Sequence, residues 1–173
     1  STFDGDGKVV TRFGLYSDRA SAMALQADGK IVVAGSSRNA FNEDIAVVRY
    51  NADGSLDSTF GGDGSVVTGF GSASDHSALE RAEAVAIQAD GRIVVAGRFT
   101  HFNGVLHNRV CRLNADGSLD SSFGLGAGID NSVLVLALQS DGRILVGGQF
   151  SQVDLTQRFN LARLNTNGSV DLT

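Results

Sequence analysis

The sequence predicts an all-β protein, because two hairpin patterns recur in it and no helical pattern does. In the first pattern an Asp-Gly pair separates two apolar runs, as in Ala86-Ile-Gln-Ala-Asp-Gly-Arg-Ile-Val-Val-Ala-Gly97, which is typical of a β-hairpin with a two-residue turn. The second pattern places Asp-Gly or Asn-Gly between shorter runs, as in Cys111-Arg-Leu-Asn-Ala-Asp-Gly-Ser-Leu-Asp120. The copies of the first pattern lie at residues 24–35, 86–97 and 137–148, and those of the second at residues 48–57, 111–120 and 162–171. No stretch shows a sustained apolar spacing of about 3.6 residues, so helices are not expected.

Two hairpins per copy make four antiparallel strands, which predicts a β-propeller with three four-stranded blades per chain. Repeats of four short strands at roughly 40–60 residues are typical of propeller blades. Neighbouring blades cover both faces of a blade, which explains consecutive apolar residues such as Ile93-Val-Val-Ala96. The predicted blades are residues 1–57, 58–120 and 121–173. A repeating β-solenoid is the alternative, although its coils are usually shorter and lack two hairpins per turn.

The second copy defines the expected elements, and the other copies follow by alignment. Its predicted strands are residues 84–88, 92–99, 109–114 and 118–123. The connector before its first strand contains a possible helical turn at residues 77–82 and a possible short edge strand at residues 64–68. Residues 7–11 of the first copy have the same Val-Val-Thr pattern and are a second possible edge strand.

Three blades are too few for a closed ring, because propellers commonly have about four to eight. An open arrangement would expose large apolar faces. The last residues, 168–173, also have the sequence that inside the chain precedes a segment like residues 1–7. We therefore expect a head-to-tail homodimer that closes a six-bladed ring. The alternatives are half of a longer propeller, or an excised or engineered half-propeller without a ligand.

Composition excludes several classes of partner. Apolar residues make up 42% and charged residues 19%, as in globular proteins. The net charge is −5 without a basic cluster, which argues against nucleic-acid binding. No apolar stretch approaches the roughly 18 residues of a membrane span. The single cysteine, Cys111, replaces small apolar residues of the other copies and is expected to be a buried thiol.

The recurring acids are expected to be structural. Asp tolerates turn conformations and bonds to its own backbone, which explains the acids of the hairpin turns. These turn acids are Asp28, Asp53, Asp90, Asp116 and Asp141. Asp4, Asp6 and Asp63 are the candidates for calcium, but they match no calcium loop, and neither a metal nor a cofactor is expected. We call the second hairpin pattern of each copy its closing hairpin. Arginine and aspartate flank the turn of each closing hairpin and are predicted to pair across strands. The pairs are Arg49–Asp57, Arg112–Asp120 and Arg163–Asp171.

The connection at residues 99–108 is the predicted ligand-binding site, because it is long, polar and aromatic. Its candidate residues are Phe99, His101, Phe102, Asn103, His107 and Asn108. The two histidines, like His76, lack the further ligands that a metal site needs. No hydrolase, zinc-protease, phosphate-loop or dinucleotide motif is present, and Glu80 and Glu83 have no evident acid–base partner. We therefore expect no enzymatic activity; a hydrolase or lyase with a pocket at the mouth of the central channel is the alternative.

Residues 51–60, 114–123 and 165–173, together with the three central hairpins, resemble the delta-60 repeat family. The resemblance covers essentially the whole chain, although Asn167 replaces Asp in the last hairpin and a proline that often precedes the Asp-Gly turn is missing. It implies bacterial β-propeller repeats, frequently in large secreted or cell-surface proteins, without a uniform catalytic motif. The expected function is accordingly a non-catalytic scaffold or binding module that is extracellular or on the cell surface. It would recognise a carbohydrate or a protein through its inter-strand loops.

Overall fold

The computed structural model describes residues 3–13, 16–40, 42–68, 80–124 and 126–173 of the chain. These residues form fourteen β-strands in antiparallel sheets. None of them belongs to a helix long and apolar enough to cross a membrane. The possible helical turn at residues 77–82 is replaced by strand where it is described, since Arg81 begins the strand β5, and its first three residues lie outside the described ranges.

The first sheet has four strands in chain order: β1 (Asp18–Leu25), β2 (Ile31–Arg38), β3 (Glu43–Tyr50) and β4 (Ser65–Val67). Strand β4 confirms the possible edge strand at residues 64–68, and Val66 lies opposite Val47 of β3. The edge of the first sheet therefore comes from beyond residue 58, where the sequence pattern begins the second repeat. Residues 7–11, the second possible edge strand, have the same pattern but form no strand.

The second and third sheets have three strands each, which are the first, second and fifth strands of their segment. The second contains β5 (Arg81–Ile87), β6 (Ile93–Arg98) and β9 (Val110–Leu113), and the third contains β10 (Val133–Leu138), β11 (Ile144–Gly148) and β14 (Leu161–Leu164). Each also carries a small separate hairpin between its last two strands. These hairpins are β7 (His101–Phe102) with β8 (Val105–Leu106), and β12 (Gln152–Val153) with β13 (Thr156–Gln157).

The predicted fourth strand is wrong for all three copies, and in the first copy only an isolated bridge joins Tyr50 and Leu56. At residues 118–123 the structure has only an isolated bridge between Leu113 and Leu119. The chain leaves the sheet directly afterwards, because Asp120 accepts hydrogen bonds from the amide and the hydroxyl of Ser122 and turns the backbone. An equivalent single bridge joins Leu164 and Val170.

The Asp-Gly turns are three-residue loops rather than the predicted two-residue turns. The Gln26 amide donates to the Lys30 carbonyl oxygen at 2.8 Å, and within the loop Gly29 has a positive φ of 84°. Asp28 keeps a negative φ and accepts a hydrogen bond from the Lys30 amide. A type I turn followed by a left-handed glycine is the usual form of a three-residue hairpin loop, so glycine, not aspartate, supplies the unusual conformation.

The core has two layers, one on each side of the second sheet. Alternate residues of β6 enter different layers: Ile93 and Val95 face the first sheet, whereas Val94 and Ala96 face the third. All four are fully buried, which confirms that the apolar run belongs to a strand covered on both faces. Cys111 lies in the first layer, so the predicted buried thiol is confirmed, and burial raises its pKa.

A close backbone approach explains a glycine that recurs in the second strand of each sheet. The first strand changes register by a bulge between Ala82 and Ala84, which pushes the Arg81 carbonyl against Gly97. A Cβ atom at Gly97 would overlap that carbonyl oxygen, and Gly35 and Gly148 face the same conflict in the other sheets.

Replacing Gly97 by alanine is expected to destabilise the fold by about 1–3 kcal/mol, because the bulge has to shift. The measurement is urea unfolding at one fixed protein concentration. Gly124→Ala is the matched control, since no atom lies within 4 Å of a Cβ there and the φ is not left-handed. Equal midpoints for the two variants would show that the close approach has no energetic weight.

Candidate functional site

The two ends of the sheets differ in how much their loops vary. The Asp-Gly loops and the closing hairpins lie at one end, where the first and third strands of each sheet finish. The opposite end carries the connections between the second and third main strands, and we call it the variable end. It is built by residues 99–109 in the second sheet and 149–160 in the third, and each of these connections contains a small hairpin. Varied loops on a regular scaffold are where binding sites commonly lie.

The two aromatic candidates of the predicted ligand site at residues 99–108 lie in the core. Phe99 and Phe102 are fully buried and belong to the core layer between the first and second sheets. The β7–β8 hairpin folds back so that its aromatic face covers the core, because burying two rings is worth more than exposing them. The exposed apolar side chains of this hairpin are instead Val105 and Leu106, which sequence reasoning did not single out.

The four polar candidates lie at or near the surface but do not converge. Asn103 is exposed at the hairpin tip with a φ of 49°. His101 and His107 are half-buried; the Nδ1 atom of His101 is 3.0 Å from the Thr100 hydroxyl, and burial lowers the pKa of His107. Asn108 donates from Nδ2 to the Ala127 carbonyl oxygen at 2.8 Å. Ligand binding by these residues stays a prediction, and His76 lies outside the described residues.

Glu80 is a buried acid that holds the loop at residues 99–109 of the second sheet. The sequence alone does not reveal its partner. Glu80 is only 4% exposed, and its Oε1 atom accepts hydrogen bonds from the amide and the hydroxyl of Thr100 at 3.1 and 3.0 Å. Its Oε2 atom is buried and has no hydrogen-bond partner among the described residues. Burial raises the pKa of Glu80, against the hydrogen bonds of Thr100 and the nearby charges of His101 and Arg109.

Asp130 holds the loop at residues 149–160 of the third sheet in the same way. It accepts hydrogen bonds from the amide and the hydroxyl of Ser151 and from the amide of Gln152. An acid shortly before the first strand and a hydroxyl residue just after the second are the sequence signal for this clamp. The carboxylates therefore fix the loops of the variable end. Their role in this contact is structural.

A groove with a volume of about 730 Å³ lies between the first and second sheets. Asp63 and Asp116 line it together with Asn103. Both carboxylates are engaged in their own turns, since Asp63 accepts from the amide and hydroxyl of Ser65 and Asp116 from those of Ser118. Within the described residues, no three His, Cys, Asp or Glu side chains are arranged to hold a metal ion.

The predicted Arg–Asp pairs are confirmed, and the structure gives them a second role. Arg49 donates from Nε to Asp57 at 2.7 Å and from Nη2 to the Thr59 hydroxyl at 3.0 Å. Its remaining nitrogen, Nη1, crosses to the second sheet and donates to the Ala115 carbonyl oxygen. The guanidinium also lies 4.8 Å from the centre of the Phe60 ring, which is a cation–π contact.

Arg112 repeats this arrangement between the second and third sheets. It donates to Asp120 at 2.8 Å and to the Thr166 carbonyl oxygen at 2.6 Å, and it lies 4.7 Å from the centre of the Phe123 ring. We call the contact of one arginine with the carbonyl oxygen of the next sheet and with a phenylalanine ring the junction contact. Sequence spacing predicts the ion pair but not the carbonyl acceptor, which is 54 residues away.

The environment of Asp57 shows why these carboxylates remain charged. Burial by itself raises the pKa of Asp57, but the hydroxyl and amide of Thr59, the ammonium of Lys30 and the charge of Arg49 together outweigh it. The pKa of Asp57 consequently lies well below its usual value. Each junction arginine thus faces a full negative charge over the physiological pH range.

The comparison with known families agrees with this geometry. A family model described as a domain of unknown function (DUF5122) beta-propeller matches residues 26–60, 88–123 and 139–173, which is more than half of the chain. The chain belongs to this family. Its three antiparallel sheets correspond to propeller blades, and the prediction of an all-β chain of propeller repeats is confirmed. Among curated proteins, none is significantly similar to the chain in sequence.

Replacing Phe102 by alanine is expected to destabilise the fold by about 3–5 kcal/mol, because it opens a cavity in the core. Leu106→Ala is the control from the same hairpin, and a change within about 0.5 kcal/mol is expected for this exposed side chain. Chemical unfolding followed by circular dichroism measures both. A small effect of Phe102→Ala would return its ring to the list of ligand-binding candidates.

The junction carboxylates make stability dependent on pH. Burial raises the pKa of Asp120, but the hydroxyl and amide of Ser122 and the guanidinium of Arg112 lower it below the usual 3.8. A lowered folded-state pKa stabilises the fold above the unfolded-state pKa, and this contribution is lost as the pH falls through the folded-state pKa. The unfolding free energy of the protein should therefore decrease on acidification below about pH 4.

Asp120→Asn is expected to be less stable at pH 7 and to lose stability less steeply in acid, since it lacks this carboxylate. Urea unfolding at a series of pH values measures both effects. Asp90→Asn, which removes an exposed carboxylate that pairs with Arg92, is the control for a charge and an ion pair lost at the surface. An unchanged pH dependence for Asp120→Asn would contradict the proposed role of the carboxylate.

Proposed function

We propose that this chain is a non-catalytic β-propeller module of a secreted or surface bacterial protein, and that its variable end recognises a carbohydrate or a protein partner. The observation that carries the proposal is the tip of the β12–β13 hairpin, where Leu155 is 80% exposed. This large apolar side chain belongs to neither core layer. It is the kind of group that a binding partner covers.

The conformation of this tip supports a binding role. Asp154 and Leu155 both have positive φ values, 47° and 61°, and the strands on either side pair directly. This is a two-residue turn in which glycine or asparagine is usual and leucine is disfavoured. The β7–β8 hairpin has the usual residues, Asn103 and Gly104, at the same place. A strained, exposed leucine at one tip is a local cost that recognition explains.

The neighbouring surface has the mixed character of a recognition site. Val105 and Leu106 are exposed on the β7–β8 hairpin, next to the polar tip residue Asn103. The carboxylates of Glu80 and Asp130 hold both loops at their first residues, so little order has to be gained on binding. Apolar faces beside amide groups suit both sugar rings and short protein segments.

Leu155→Gly separates binding from folding. Glycine fits the positive φ, so the melting temperature should stay the same or rise, whereas partner binding should weaken by tenfold or more. Binding is measured on an array of polysaccharides and oligosaccharides and on an immobilised peptide library, with hits repeated by calorimetry. Leu56→Thr changes an exposed leucine within the first closing hairpin, at the opposite end of the sheets, and should bind normally. Equal binding by Leu155→Gly and the unchanged chain would refute recognition at this tip.

The assembly is part of the same proposal. We infer that two chains close a six-bladed ring head to tail and that the repeats are of the delta-60 type, which the two recurring hairpin patterns support. Light scattering on the isolated chain should give twice its mass of 18.0 kDa. A mass of one chain at micromolar concentration would exclude the ring.

A further inference from the structure

The third junction arginine has only half of its contacts. Arg163 donates from Nε to Asp171 at 2.6 Å and from Nη2 to the Thr173 hydroxyl at 3.3 Å, as Arg49 does to Asp57 and Thr59. Among the described residues it has neither a carbonyl acceptor in a following sheet nor a phenylalanine ring. Its side chain is 34% exposed, whereas those of Arg49 and Arg112 are each 5% exposed.

The apolar positions around Arg163 are also uncovered. Leu161 is 64% exposed, although Val47 and Val110, at the same place in the first and second sheets, are fully buried. Val135 is likewise exposed where Ala84 is buried. This outer face of the third sheet, formed by Val135, Leu145, Leu161 and Arg163, repeats the face with which the other two sheets contact a neighbour. We call it the outgoing face.

The first sheet presents the opposite half of a junction. Met23 and Leu25 on β1 are 69% and 70% exposed. Their equivalents Val85 and Ile87 in the second sheet pack against the core layer shared with the preceding sheet. Leu136 and Leu138 do the same in the third sheet. We call the outer face of the first sheet, which contains Met23, Leu25, Ile31 and Val33, the incoming face.

Residues 3 and 4 supply the remaining parts of a junction at this incoming face. The Asp4 amide donates to the Asp53 carbonyl oxygen at 2.7 Å, just as the Gly61 amide donates to that of Asp116 at 2.8 Å. Phe3 therefore occupies on the first closing hairpin the place that Phe60 occupies on the second. The Ala52 carbonyl corresponds to the Ala115 carbonyl that accepts from Arg49.

We propose that the outgoing face docks on the incoming face of a second copy of this chain. There, Arg163 donates from Nη1 to the Ala52 carbonyl oxygen of the second copy and stacks on its Phe3 ring. This inference rests on the proposed ring closure and assigns its chemistry. A second copy is the occupant because the two open faces are the two halves of a contact that the chain builds twice within itself. Two such junctions, related by a two-fold axis, use both open faces of both chains.

The first experiment compares the association of variants by sedimentation velocity over a range of concentrations. Leu161→Asp should turn the dimer into single chains, because it places a charge in the apolar junction. Arg163→Met, which keeps the apolar stem, should raise the dissociation constant by tenfold or more. Leu106→Asp is the matched control: it introduces the same charge at a similarly exposed leucine outside both faces and should leave the dimer intact.

A mixing experiment tests the direction of docking. Leu161→Asp lacks a working outgoing face, and the double variant Met23→Asp, Leu25→Asp lacks a working incoming face. Each should be a single chain by itself, but an equimolar mixture should form a heterodimer through the one intact junction. Failure of this mixture to associate, with both variants folded by circular dichroism, would overturn head-to-tail docking.

Hydrogen exchange on the unchanged chain keeps the test independent of folding defects. On association, amides of residues 23–25 and 161–163 should become protected, while those of the β7–β8 hairpin should not change.

A single-chain mass for the unchanged protein overturns both the ring and this inference. An oligomer that survives Leu161→Asp and Arg163→Met overturns the inference alone, and a closed oligomer of more than two chains that Leu161→Asp dissociates supports the faces but not the six-bladed ring.

Discussion

Burial of both faces of a narrow sheet is the constraint on which the rest of this structure depends. The second sheet meets it completely, since alternate residues of β6 enter core layers on opposite sides. The first and third sheets meet it on one side only and leave Met23 and Leu161 in water. Such a chain gains stability from each neighbour it acquires, because every added neighbour removes an apolar face from solvent.

The junction arginines make the packing between adjacent sheets specific. Apolar faces alone would tolerate several sliding registers, but a guanidinium has a fixed fork of donors that must meet a carboxylate and a carbonyl together. Arg112 donates hydrogen bonds to Asp120, to Gln88 and to the Thr166 carbonyl oxygen at the same time. A buried charge left without these partners is costly, so the contact favours one register between adjacent sheets. Arg49 and Arg112 repeat the contact at the two junctions within the chain.

The variable end lies at the opposite end of the sheets from the junction contacts. Its loops are fixed by Glu80 and Asp130, and its exposed groups, such as Leu155, take no part in either core layer. The exposed positions of these loops can therefore change with little effect on how the sheets pack, whereas buried loop residues such as Phe102 belong to the core. That division, a repeated junction at one end and individual loops at the other, suits a scaffold whose partner is chosen by its loops.

The sequence by itself determined the features that depend on neighbours along the chain. Hairpin positions follow from Asp-Gly and from apolar runs, and Arg112 pairs with Asp120 because only a short hairpin separates them. Only the tertiary structure decided where Phe102 points, to which sheet β4 belongs, and that Arg112 reaches the Thr166 carbonyl. Local patterns do not contain these outcomes, since each is a contact between segments that are distant in sequence and is selected by the free energy of burying them together.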